Sequence, residues 1–305
     1  MTSHTTRIAL LGHGVALTRM VQALRELELT DGRVLRTVAV LDAERRGSWL
    51  DREAEEVIPL PPGTGLFDVE VVEAHLAAAH IDALAASSGR EVPWLRYAER
   101  AEARGWTFVG PSAATLRRLL DPLEVRQIAE RAGVATVPWS GDGAESLERA
   151  RVHAERIGYP VLCRSSGSAH VGLGLARTPE ELPEVHRRAA KAAARTGSRV
   201  LLERFLPKMR RLEMPVISAP GGRWALDVID ASMRRSDGSV LVEAPAPGLR
   251  PETTAHLRGL AVTLAEAFDH EHVGTMIFLF DPTSERVTFL GYDFCCGGEH
   301  AAAEM

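Results

Sequence analysis

The sequence predicts an α/β fold, with a parallel sheet first and a two-part α+β unit after it. Three observations carry this expectation. Through the first 110 positions, short apolar runs alternate with amphipathic stretches, and strand–helix alternation is the pattern of a parallel sheet. Glycine, proline and serine fall between these runs rather than inside them, as connecting turns require. The chain then closes on two apolar runs separated by Asp281-Pro282, which reads as a pair of facing strands. At 305 residues, 45% hydrophobic and 25% charged, it can bury a large core in two or three domains.

Each element has its own signal. Arg7-Ile-Ala-Leu-Leu11 reads as a buried strand, and Gly12-His13-Gly14 as the turn that ends it. Leu17, Met20, Val21, Leu24 and Leu27 then recur at helical spacing across 15–29. Strands follow at 35–41, 81–85 and 107–109, with helices at 66–79 and 92–104. Gly110-Pro111 stops the last strand, Ser112 caps a helix over 113–120, and Pro122 opens one that Gly133 closes. The Gly- and Ser-bearing stretch 140–146 reads as a linker. A second unit has a helix at 147–157, a strand at 160–164, a Gly/Ser loop and a helix at 179–196. A third begins with a strand at 200–204 and continues through strands near 212–217 and 224–231 to a helix at 251–268. The divisions implied are 1–112, a helical linker at 113–146, 147–199 and 200–305.

Composition removes several classes of function. A net charge of -5 and a pI near 6.1 speak against nucleic-acid binding, which leaves a basic footprint. Arg117-Arg118 and Arg210-Arg211 read as solvated faces. No signal peptide and no membrane span is expected, because Ile8 to Leu11 is only strand-length. Cys163, Cys295 and Cys296 supply neither a disulfide framework nor a Cys-x-x-Cys metal site, so a reducing cytoplasm is expected. Cys295-Cys296 with His300 form either a soft metal or thiol site or simply reduced, partly buried cysteines. His270-Glu-His272 reads as a solvated loop before a strand. Gly12 and Gly14 with Asp42 resemble a dinucleotide fingerprint, but Leu17 stands at its third glycine, so no nicotinamide is expected.

Three phrases carry a more specific likeness: Ile157-Gly-Tyr-Pro-Val-Leu162, Val242-Glu-Ala-Pro-Ala-Pro-Gly-Leu249, and Glu299-His300 followed by Glu304-Met305. Together with Phe108-Val-Gly-Pro111 and Ala132-Gly-Val134, their order and spacing resemble the biotin carboxylase family of the ATP-grasp superfamily. The resemblance covers nearly the whole chain. It implies an N-terminal parallel-sheet domain ahead of a two-part ATP-grasp fold, whose lid is 147–199 and whose C-terminal part is 200–305. It also implies ATP held between those parts, bicarbonate phosphorylated, and the carboxylate passed to biotin.

The resemblance assigns roles residue by residue. Arg164 stands at a phosphate-holding lysine, which fits a chain whose 36 basic residues include only Lys191 and Lys208 as lysines. Glu203 and Leu206 match the hinge that reads the adenine edge, and Glu213 a nearby acidic position. Ser232, Arg235 and His300 match substrate-facing positions, Asp293 one metal oxygen ligand, and Glu299 the bicarbonate base.

The departures are as informative. Ile277 and Gly291 stand where two metal glutamates belong. Magnesium takes hard oxygen ligands in near-octahedral array, and neither side chain supplies one. Pro122 replaces a nucleotide-contacting lysine, and Ala169, His170 and Val171 replace glycines of the phosphate loop, where side chains block close backbone approach. Asp237, Ser239, Cys295 and Gly297 replace further substrate-placing residues. The resemblance implies a longer chain than this one, so an open sheet edge that a partner covers is expected.

The expectation is a non-catalytic binding, regulatory or structural subunit that has lost Mg-ATP-dependent bicarbonate activation. It would be a homo-oligomer or stand beside a carboxylase-type subunit. ATP or another adenine nucleotide is the implied ligand; neither a complete magnesium site nor covalently bound biotin is expected on this chain. Two alternatives stay open: an active ATP-dependent ligase using Arg164, Asp293 and Glu299, and unrelated chemistry using Cys295, Cys296 and His300.

Overall fold

The computed structural model describes residues 5–86 apart from 13, 33, 43 and 45, and then 93–166, 173–234 and 240–293. The first unit is a five-stranded parallel sheet. Its strands are β1 (Thr5–Leu11), β2 (Val34–Leu41), β3 (Glu56–Pro59), β4 (Ala83–Ala86) and β5 (Thr107–Val109), in the order β3-β2-β1-β4-β5. Helices α1 (Val15–Asp31), α2 (Trp49–Glu53), α3 (Val69–Ala78) and α4 (Trp94–Arg104) connect them. Ile8, Ala9, Leu10 and Leu11 are all buried, because the central strand of a parallel sheet is covered on both faces. Ala9 and Leu11 pack with Leu76 and Tyr97 on one side, Ile8 and Leu10 with Leu17 and Val21 on the other. The edge strand β3 has no counterpart among the sequence expectations. Its four residues are too few to show a period, and Pro59 suits only an edge.

Two helices follow, α5 (Ala113–Leu119) and α6 (Pro122–Arg131). Ser112 Oγ accepts from Thr115 N and Asp121 Oδ1 from Leu123 N, so each helix starts on a side-chain cap. Leu119, Val125, Ile128 and Ala129 bury their side chains in the same core as Leu257, Phe268, Phe278 and Phe289 of the C-terminal unit. The stretch 140–146, read as a linker, runs along the lid instead. Ser140 N donates to Leu202 O at 2.9 Å, Ala144 N donates to Val200 O at 2.8 Å, and Ala144 is fully buried. Its glycines and serines report turn geometry, not exposure.

The lid comprises α7 (Leu147–Ile157), β6 (Val161–Ser165), β7 (Gly174–Ala176), α8 (Leu182–Thr196) and β8 (Val200–Arg204), with strand order β7-β6-β8. β6 alternates: Val161, Cys163 and Ser165 are buried, Val161 and Cys163 in the lid's own core, while Leu162 and Arg164 take the opposite face.

The C-terminal unit holds β9 (Arg210–Ala219), β10 (Gly222–Ala225), β11 (Ile229–Arg234), β12 (Val240–Glu243), α9 (Pro251–Ala267), β13 (His272–Phe280) and β14 (Val287–Asp293). The sheet order is β12-β11-β9-β13-β14, with β10 paired to β9. The single strand expected near 224–231 is thus two strands. Leu212, Met214 and Val216 with Met276, Phe278 and Phe280 form one face, packed on α9 and α6. Arg210, read as solvated, pairs with Asp230 at 2.7 Å and lies 6.0 Å over the Phe280 ring. Arg118 likewise donates to the Phe268 carbonyl. No described helix is long and apolar enough to cross a membrane.

Candidate functional site

The face of the C-terminal sheet opposite its core forms one wall of the candidate site. Ile277 pairs in register with Glu213 on one side and Gly291 on the other. The next β13–β14 pair is Phe278 with Phe289, so Leu290 is an extra residue in β14. Such a bulge changes which face the following residues take. Phe289 and Tyr292 can therefore both pack against Phe268, while Gly291 and Asp293 share the opposite face with Ile277 and Thr275.

The side chains of Ile277 and Gly291 on that wall offer a magnesium ion no oxygen. The ion needs several oxygens at about 2.1 Å. Ile277 offers only carbon and Gly291 no side chain. The Glu213 carboxylate is engaged by Arg211, with Nη2 at 2.7 Å and Nε at 2.8 Å. Among the described residues, no group of three or more His, Cys, Asp or Glu is placed to hold a metal.

A second wall comes from β6, β8 and α6. Arg126 projects from α6 into the interior with 1% exposure. Its Nη2 donates to Glu203 Oε2 and, at 3.3 Å, to the Leu290 carbonyl of the bulge. Its guanidinium carbon lies 5.9 Å from the Trp139 ring centroid, and Trp139 Nε1 donates to Glu130 at 2.7 Å. Arg164 Nε approaches Glu203 Oε1 at 3.6 Å from the other side. Burial pushes the Glu203 carboxyl up, but the two guanidinium groups outweigh it and hold the group below the ordinary carboxylate range. Burial, with the Glu203 charge, pushes the neighbouring Cys163 thiol up to about 12.

The hinge follows directly. Arg204 N donates to Pro138 O at 2.7 Å and Phe205 N to Pro160 O at 2.9 Å. The Leu206 amide has no backbone partner among the described residues. Arg164, Glu203 and the Leu206 backbone thus lie together, and Asp293 stands on the first wall. Arg235, Cys295, Cys296, Glu299 and His300 lie outside the described residues, as do the loop residues Ala169, His170 and Val171 and the positions Asp237, Ser239 and Gly297.

Arg126 was missed by the sequence reading, although a signal was there. Pro122, Val125, Arg126 and Ala129 share one helix face by their spacing, and an arginine on that apolar face is an anomaly. His270 is also corrected. It is 2% exposed, its Nδ1 lies 2.7 Å from Ser218 Oγ, and its ring meets Tyr292 edge-on. Burial, with Arg223 and His272 nearby, pulls it down to about 4.

A parallel-sheet unit, a three-stranded sheet and a larger antiparallel sheet in this order make an ATP-grasp fold. The chain belongs to the family described as carbamoyl-phosphate synthase L chain, ATP binding domain, whose pattern matches residues 121–305. Its relatives within that family are biotin carboxylases and the alpha subunits of biotin-dependent carboxylases. It is 28% identical to the methylcrotonoyl-CoA carboxylase alpha subunit of Glycine max, covering 98% of this chain and 41% of that one. It is 28% identical to the biotin carboxylase of Haemophilus influenzae, covering 98% and 67%. The fold superposes on a Campylobacter jejuni biotin carboxylase–β,γ-ATP complex with a TM-score of 0.89 at 22% identity, covering 98% of this chain and 67% of that one. The biotin carboxylase domain of Hydrogenobacter thermophilus 2-oxoglutarate carboxylase, bound to MgADP, ADP and bicarbonate, gives 0.88 at 24%, covering 98% and 66%. The chain thus spans about two fifths to two thirds of the length of these relatives.

Proposed function

We propose that this is a biotin-carboxylase-like ATP-grasp protein that has lost Mg-ATP-dependent bicarbonate activation and serves as a non-catalytic binding, regulatory or structural subunit. The observation that carries the reading is the facing pair Ile277 and Gly291 on the cleft wall, where the resemblance places two metal carboxylates. Phosphoryl transfer is driven by positioning and by charge placed against the phosphates. Without the two carboxylates and the lysine at Pro122, the electrostatic part of that catalysis is largely gone.

The nucleotide half is better preserved. Arg164 stands at a phosphate position, with Glu203 and the Leu206 amide at the adenine edge, so an adenine nucleotide is the proposed ligand. Asp293 alone would hold at most a hydrated ion. The relatives include subunits of biotin-dependent carboxylases, and this chain is proposed to act as a homo-oligomer or beside a carboxylase-type subunit.

The test is ATP hydrolysis with magnesium, with and without bicarbonate, for the wild type and for Glu299→Ala. No turnover above the variant is expected. Bicarbonate-dependent turnover that Glu299→Ala abolishes would establish a live ligase and overturn the reading.

A further inference from the structure

We propose that the cavity beside α6, on the side away from Arg126, is a second ligand site that takes a small carboxylic acid with an aliphatic body. The inference does not depend on how the cleft binds a nucleotide.

The helix period places the site. Glu124, Ile128, Arg131 and Ala132 recur at i, i+4, i+7 and i+8 along α6 and its C-cap, so they share one face. Arg126 projects from nearly the opposite side, where it meets Glu203. The first face borders an open cavity of about 420 Å³, completed by Arg118 of α5 and Ala267 at the end of α9. Small-molecule sites run to roughly 300–1,000 Å³, so the size is ordinary for one.

The lining divides by chemistry. Ile128, Ala132 and Ala267 form its apolar part, Arg118 and Arg131 bring two positive charges, and Glu124 brings one negative charge. Among the described residues none of these three charged groups has an ion-pair partner, and the side chains of Glu124 and Arg131 make no hydrogen bond. Their neighbours differ: Arg96, Arg104 and Arg117 each meet a carboxylate. Arg118 is anchored instead by a backbone carbonyl, donating through Nη2 to Phe268 just past α9, and its Nε is buried without a partner. A guanidinium fixed in place without a counter-ion loses little side-chain freedom when an anion arrives.

Charge selects the class of ligand. The lining carries one net positive charge, which a single carboxylate neutralises. A phosphate monoester or a tricarboxylate would set further negative charge against Glu124. The planar guanidinium donates paired N–H bonds to a carboxylate, and Ile128 with the two alanines covers an aliphatic body. Glu124 is also free to accept from an ammonium, so the acid is either a plain aliphatic acid or an aliphatic α-amino acid.

Pentanoate, norvaline, pentylamine and orthophosphate are titrated onto the full chain by ligand-observed NMR, with and without ADP. Pentanoate, norvaline or both should bind, with pentylamine and orthophosphate weaker by about tenfold. Excess ADP should leave the acid bound. Tighter binding of norvaline assigns Glu124 to an ammonium; equal or tighter binding of pentanoate assigns the site to plain acids. Arg131→Gln should weaken the acid by about tenfold. Its melting temperature should stay near that of the wild type, because Arg131 has no partner to lose. Ala267→Leu fills the cavity without changing charge and should remove binding; if that variant does not fold, Arg131→Gln alone decides.

No binding of either acid overturns the proposal, and so does unchanged affinity in Arg131→Gln or in folded Ala267→Leu. Pentylamine or orthophosphate binding as tightly as the acids, or displacement of the acid by ADP, overturns it as well. ATP turnover would sink the non-catalytic reading and leave this site untouched.

Discussion

Arg126 and Glu203 lie 77 residues apart and meet as an ion pair in the interior, Arg126 from α6 and Glu203 from near the end of β8. The pair ties a helix packed on the C-terminal core to the hinge strand of the lid. Removing one partner of a buried pair leaves an uncompensated charge, whereas replacing both by apolar groups of similar volume is often neutral. Glu203→Gln is therefore expected to destabilise by about 3–5 kcal/mol. Arg126→Met/Glu203→Met should lose clearly less, because only Arg164, at 12% exposure, is then deprived of this carboxylate. Urea midpoints at constant slope measure both, and equal losses in the single and double variants would contradict the buried-pair account.

His270 sets a pH dependence at moderate acidity. Its folded value is about 4, against 6.5 when unexposed to the fold, so the unfolded chain binds more protons between those values. The His270 contribution is therefore fully present above pH 6.5 and lost as pH falls toward 4, by up to about 3 kcal/mol. Burial also lowers His272, so it adds in the same direction. Glu203, held below the ordinary carboxylate range, loses its contribution only below its unfolded value near 4.5. Between pH 4.5 and 6.5, His270→Gln should flatten the stability profile. An unchanged slope in that variant would show that His270 is not held neutral.

Cys163 should be chemically silent. It is fully buried in the lid core and its thiol is pushed up to about 12, so it carries almost no thiolate at neutral pH. In a Cys295→Ser/Cys296→Ser background, a disulfide reagent should find no reactive thiol in the native protein and one after unfolding in urea. Rapid native labelling would mean that the lid opens far more readily than its packing implies.

Much of the fold was legible because its helices and central strands are long enough to show a period. Arg7 to Leu11 and the α9 stretch announce themselves in this way. The short strands β3 and β7 do not, since three or four residues carry no usable alternation. The wall bearing Ile277 and Gly291 was legible only through the resemblance, which supplied the register of a strand pair. Arg126 stayed hidden because its role depends on Glu203, distant in sequence, and on the bulge at Leu290. His270 was misread because a histidine beside Asp269 and Glu271 looks solvated, while the contacts that bury it come from Ser218 and Tyr292.

The cleft wall itself can be tested by giving back what it lacks. Gly291 is open to a side chain: nothing lies within 4 Å of an added Cβ. Its φ is not positive, so a glutamate there meets neither a clash nor backbone strain. Ile277 faces it in register and is only half-buried. In Ile277→Glu/Gly291→Glu, two carboxylates would stand across one strand pair, with Asp293 one register step away on the same face. Like charges placed so are expected to destabilise by about 0.2–1 kcal/mol without metal. Magnesium should reverse this, because three oxygen donors on one wall approach the ligand set the ion needs. The expected result is a magnesium-dependent rise in melting temperature in the double variant, absent from the wild type and from each single variant. An equal rise in the wild type would show that the native wall already binds the ion. No rise in the double variant would show that Ile277 and Gly291 do not face a common site.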